Sequence, residues 1–110
     1  MRESGNLFAD VVPGAAEEQV RELLGAPGLR IERIVSTGQA SPPGFFYDQP
    51  RAEWVVLLSG SASLLFADEP GPRHLTPGDY VLIAPHRRHR VEATCPDGPS
   101  VWLAVHFGDG

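Results

Sequence analysis

Apolar and polar positions alternate with a period of two over much of this chain, and turn-forming residues interrupt the pattern at short intervals. Leu29–Ser36 carries Ile31, Ile34 and Val35, and Phe45–Gln49 is a short aromatic run. Glu53–Leu58 is almost wholly apolar after its first residue. Further short runs lie at Ser61–Ala67, Arg73–Leu75, Tyr80–Ala84, Arg88–Thr94 and Val101–Phe107. Between them stand Pro42-Pro43-Gly44, Pro70-Gly71-Pro72 and Thr76-Pro77-Gly78-Asp79, each a strong turn signal. Many short strands at such spacing predict an antiparallel sandwich or small barrel. One segment differs. Ala16, Val20, Leu23 and Leu24 recur at helical spacing between Pro13 and Gly25. Proline suits a first turn and glycine a stop, so a short helix is expected over 15–25, lying on a larger body.

The chain has 110 residues, enough for one domain. Residues 1–28 are expected to form an arm and the helix, and residues 29–110 the barrel. The formal charge is −5, and no basic stripe offers itself to nucleic acid. All basic side chains other than histidine are arginines, which excludes a lysine Schiff base and a phosphate-binding loop built on lysine. Cys95 is the single cysteine, so neither an internal disulfide nor a multi-cysteine zinc site is open to the chain. The apolar runs are too short to cross a membrane as helices, and the first residues carry no secretory apolar stretch. A cytoplasmic protein with no nucleic-acid or membrane partner is expected.

Two spaced patterns carry more. Glu53 is followed after six residues by Gly60. Downstream, Gly78-Asp79-Tyr80-Val81-Leu82-Ile83-Ala84-Pro85 leads to His89-Arg90-Val91. In order and gap these resemble the second half of the first cupin motif and the second cupin motif, over roughly residues 30–107. The resemblance implies an all-β fold, an antiparallel cupin barrel of jelly-roll type with a pocket between its sheets. The chain departs from the family pattern at the two first-motif histidines. Their places hold Tyr47 and Gln49 under one spacing, or Phe46 and Asp48 under the other. Ala84 stands where the second motif usually has proline, and His86 where it usually has glycine.

Alternation along Arg88–Thr94 puts Arg90 and Glu92 on one face and His89 on the other, toward the pocket. An inward Glu53 would be costly unless paired, protonated or bound to a cation. His89 and Glu53 therefore form half of a divalent-metal site, for zinc, iron, manganese or nickel, which Asp48 or His106 would complete. Tyr47, Gln49 and His86 would face a small-molecule ligand at the pocket.

The expected function is a metal-dependent enzyme, dioxygenase- or isomerase-like, on a small organic substrate. The alternative is a binding or sensor module without turnover. The resemblance also implies a homodimer, made through open sheet edges or an N-terminal arm laid on a partner.

Overall fold

The computed structural model describes residues 3–108 and is all-β. Eight strands run in chain order: β1 Gln19–Ala26, β2 Leu29–Ser36, β3 Ala52–Ser59, β4 Ala62–Phe66, β5 Arg73–Leu75, β6 Tyr80–Ile83, β7 His89–Thr94 and β8 Ser100–Phe107. They form two sheets. The larger has the order β1-β2-β8-β3-β6 and the smaller β5-β4-β7. Every pairing is antiparallel. No helix among the described residues is long and apolar enough to cross a membrane.

The expected helix over 15–25 is not formed; most of that segment is β1. Val20 pairs with Ile34, Arg21 with Arg33 and Leu24 with Ile31, with a bulge between Glu22 and Leu24. The bulge explains the misleading periodicity, because it lets residues spaced as on a helix meet one strand. Pro27-Gly28 closes the β1–β2 hairpin, with Ala26 and Leu29 paired across it. Gly28 has φ 73°, so proline and then a left-handed glycine give the residue order of a type II turn. An isolated short helix is marginal in water, whereas the free edge of β2 offers a full ladder of hydrogen bonds.

The core lies between the sheets. Val55 and Leu57 of β3, Leu64 and Phe66 of β4, Val81 and Ile83 of β6, and Trp102 and Ala104 of β8 are buried there. Each set alternates with outward residues, as the pleat requires. Two arginines are buried on the outer faces. Arg33 donates to the carbonyls of Leu7 and Ala9, and so holds the N-terminal arm on its own chain's sheet. Arg90 points away from the core, as alternation indicates, yet it is buried too. It donates to the carbonyls of Pro42 at 2.9 Å and Ser41 at 3.0 Å. Each guanidinium thus satisfies carbonyls of an irregular segment that no ladder serves. The Arg90 contact pins the loop leading into Tyr47 and Gln49.

The short strand expected at Phe45–Gln49 reduces to one bridge. Tyr47 N donates to His89 O at 2.6 Å, and His89 N donates to Tyr47 O at 3.2 Å.

Candidate functional site

Strand register assembles one polar row on the inner face of the larger sheet. His106 of β8 is paired with Arg30 of β2 on one side and with Glu53 of β3 on the other. One step along, Ala104 sits between Glu32 and Val55. Four charged or titratable side chains are therefore carried toward the interior at one end of an otherwise apolar wall. From the opposite sheet β7 contributes His89, and the loop between β2 and β3 contributes Tyr47 and Gln49. Together they line a cavity of about 190 Å³ whose floor includes Val55, Leu64 and Trp102.

Glu53 and His89 meet in this cavity. Glu53 Oε1 stands 3.8 Å from His89 Nε2, and Glu53 is only 8% exposed. That separation is too long for a hydrogen bond. Burial pushes the Glu53 carboxyl up to about 7; Glu32 adds to the rise and Arg30 opposes it. The carboxyl is thus poised between its two protonation states near neutrality.

His89 is oriented from behind. Its Nδ1 lies 2.9 Å from the Arg87 carbonyl, which can only accept, so Nδ1 carries the proton and Nε2 presents its lone pair to Glu53. Arg87 is itself fixed, its guanidinium 3.8 Å from the Phe66 ring centroid and 3.1 Å from Glu69 Oε2. Burial holds the His89 imidazole below its ordinary range. His106 is held down likewise by burial and Arg30, against the pull of Glu32. Its Nε2–H donates to Glu32 Oε1 at 3.0 Å, while Arg30 Nε lies 3.2 Å from Glu32 Oε2. Arg51 also bears on His106 from outside the lining.

The remaining candidates divide cleanly. Tyr47 and Gln49 line the cavity, and Tyr47 stacks on His89 with ring centroids 5.5 Å apart. Gln49 Oε1 is buried there without a hydrogen-bond partner among the described residues. Asp48, between them, points outward and bonds His86 Nδ1 at 2.7 Å on the surface. Neither Asp48 nor His86 lines the cavity. His86 sits in the left-handed region at φ 62°, a conformation that suits the glycine usual at this place. The spacing that sets Tyr47 and Gln49 in the places of the two missing histidines is therefore the one the backbone follows.

A tightly held divalent ion normally takes three or more protein ligands. Among the described residues no group of three or more histidine, cysteine or acidic side chains is arranged to hold one. His89 and Glu53 supply two donors, His106 is engaged by Glu32, and Asp48 lies outside. The donor set does not complete a tight metal site.

Sequence reasoning missed Arg30, Glu32 and Glu18, which also line the cavity. Alternation through Arg30, Glu32, Ile34 and Ser36 was the available signal. Charged residues on an inward face run against the usual pattern, and this is why they escape notice.

The cavity can be compared with known structures. A protein from Ralstonia eutropha JMP134, provisionally described as a mannose-6-phosphate isomerase, is 52% identical over 96% of this chain and 98% of its own, with a TM-score of 0.94. A cupin superfamily protein from Desulfitobacterium hafniense DCB-2 shares the fold at a TM-score of 0.76, covering 97% of this chain and 93% of its own at 16% identity. The chain belongs to the cupin superfamily. The DMSP lyase DddQ from Ruegeria pomeroyi DSS-3 matches this cupin at 25% identity and a TM-score of 0.71. The match takes in 97% of this chain and 52% of the lyase, so the cupin spans about half of that protein. No family model matches the chain. No curated protein matches it at a significant level.

Proposed function

We propose that this cupin takes a small polar organic molecule into the barrel and transfers a proton on it, with Glu53 as the acid–base group. The reaction class is isomerase- or lyase-like: removal of a proton from a carbon made acidic by a neighbouring carbonyl, or its return. The observation that carries this reading is the state of Glu53. It is a buried carboxyl aimed into a ligand-sized cavity, with no hydrogen bond among the described residues and an affinity for protons matched to neutral pH. His89 Nε2, fixed as an acceptor, and the His106–Glu32 pair would orient the substrate's hydroxyl or carbonyl. The 52% relative is described provisionally as an isomerase, which agrees with proton transfer as a class.

The experiment is hydrogen exchange in D2O. The protein is incubated with a panel of small hydroxy, keto and amino compounds, mannose 6-phosphate included, and deuterium uptake at carbon is read by NMR. Uptake that falls about 10²- to 10⁴-fold in Glu53→Gln and persists in Asp48→Asn supports the reading. A compound that binds in the barrel without exchange, equally in both proteins, would establish a binding module instead.

A second reading has its own observation. His89 Nε2 and Glu53 Oε1 are too far apart to bond each other, and Gln49 Oε1 in the same cavity has no partner among the described residues. These atoms would hold a divalent ion weakly. Calorimetric titration with zinc or manganese tests this: saturable one-to-one binding, lost in His89→Ala, would favour it, and the absence of any binding would remove it.

A further inference from the structure

The charges around the cavity are unbalanced, and the imbalance bears on what enters. Three carboxylates line it: Glu18, Glu32 and Glu53. One guanidinium, that of Arg30, lines it as well, and Glu32 already engages it at 3.2 Å. Glu32 receives the His106 N–H besides, so it is neutralised where it stands. Glu18 and Glu53 have no such compensation. Glu18, at the mouth, accepts one hydrogen bond from Ser36 Oγ at 2.7 Å and makes no ion pair among the described residues. Glu53 is nine-tenths buried and has no partner within hydrogen-bond distance among the described residues.

An adjoining hollow of about 240 Å³ extends the pattern. It shares Glu18, Tyr47 and Val91 with the first cavity, adds Glu17, and has no basic side chain in its lining. The field is felt by Tyr47, whose phenol is pushed up by burial first and then by Glu18 and Glu53. Tyr47 is the aromatic side chain common to both hollows, and Trp102 lines the deeper one.

We infer that this cavity selects a small organic cation, a protonated amine or a quaternary ammonium compound, through the carboxylates of Glu18 and Glu53 and the aromatic side chains of Tyr47 and Trp102. Anionic groups supply the attraction, and aromatic groups favour a cation whose charge is spread over methyl groups. A sugar phosphate would bring a dianion past Glu17 and Glu18 to a cavity whose single arginine is occupied. This inference rests on the barrel cavity being the ligand site, as proposed above, but not on turnover there.

Calorimetric titration with choline, with its neutral isostere 3,3-dimethyl-1-butanol and with mannose 6-phosphate is the test. Choline is expected to bind at least about tenfold more tightly than the alcohol. Glu18→Gln is expected to weaken choline about three- to tenfold and leave the alcohol unchanged, since a mouth carboxylate acts on charge alone. Tyr47→Leu is expected to weaken choline while the thermal midpoint shows the protein folded. Equal affinity for choline and the alcohol, tighter binding of mannose 6-phosphate than of choline, or binding of zinc with none of choline would each overturn the inference. Choline discrimination is read through Glu18 and carbon exchange through Glu53, so either result can fail while the other stands.

Discussion

His89 Nε2 faces Glu53 Oε1 across 3.8 Å inside the barrel, while His89 Nδ1 is held 2.9 Å from the Arg87 carbonyl. The Arg87 contact fixes which nitrogen carries the proton and keeps the Nε2 lone pair directed at Glu53, while burial favours the neutral imidazole. Burial then governs both groups, raising the carboxyl and lowering the imidazole.

A stability difference follows for Glu53→Gln. The carboxyl is raised to about 7 in the folded protein against an ordinary value of 4.5. Between those values the folded state binds the proton and the unfolded state does not, so stability falls as pH rises through the interval and levels off above it. Glutamine is neutral throughout. The two proteins should be equally stable near pH 4, and the variant more stable at pH 8 by about 3 kcal/mol. Thermal midpoints at the two pH values check this, and an identical gap at both would refute it. His89 and His106, held low, act the other way: the stability they contribute is present above about pH 6.5 and is lost as pH falls below it.

Gly60 marks the turn between β3 and β4, and its geometry admits no side chain. It has φ 85°, and a Cβ there would lie 2.6 Å from Ser100 Cα and 2.8 Å from Pro99 O. Both contacts are with backbone, so a flexible neighbour cannot give way. Backbone strain and overpacking add, and Gly60→Ala should cost about 3 kcal/mol or more. Urea unfolding midpoints measure it. A loss below about 1 kcal/mol would mean the strand ends separate readily.

Arg90 ties the loop before Tyr47 to β7 through the Ser41 and Pro42 carbonyls. Arg90→Met keeps the aliphatic stem and strands two buried acceptors, at a cost of about 2–4 kcal/mol. Tyr47 and Gln49 ride on that loop, so ligand affinity at the barrel should fall together with the urea midpoint. Unchanged affinity in a destabilised variant would show that the Tyr47–His89 bridge positions the loop unaided.

Much of this architecture is legible in the chain, for reasons that can be given residue by residue. Alternation placed His89 inward because Arg90 and Glu92 cannot share its face, and the Glu53–Gly60 spacing marked a strand and its turn. The β1 strand was hidden because a bulge at Leu23 imitates a helical repeat; Pro27-Gly28, a hairpin turn by composition, was the contrary signal. Arg30 and Glu32 were hidden because only the β2–β8 register shows that their face is the inner one. Asp48 and His106 looked alike as candidates. Their difference is a matter of pleat: one residue beside Tyr47 turns to solvent, and one paired with Glu53 turns inward.

The outer face of the larger sheet leads to a prediction about assembly. Tyr80 is 66% exposed and Leu82 58%, on the edge strand β6, and Trp54 of β3 lies beside them with its ring centroid 5.6 Å from that of Tyr80. The N-terminal arm is held over Arg33 by its own chain, so we propose this apolar face, rather than an exchanged arm, as the surface for a second copy. A contiguous apolar patch of this kind on a small domain is costly to leave in water. Light scattering at micromolar concentration should give twice the chain mass. Leu82→Glu, which puts a carboxylate at the centre of the face, should give the mass of one chain while the barrel's ligand affinity stays the same. A monomeric parent protein would remove the basis for the dimer, and a dimeric Leu82→Glu protein would move the interface elsewhere.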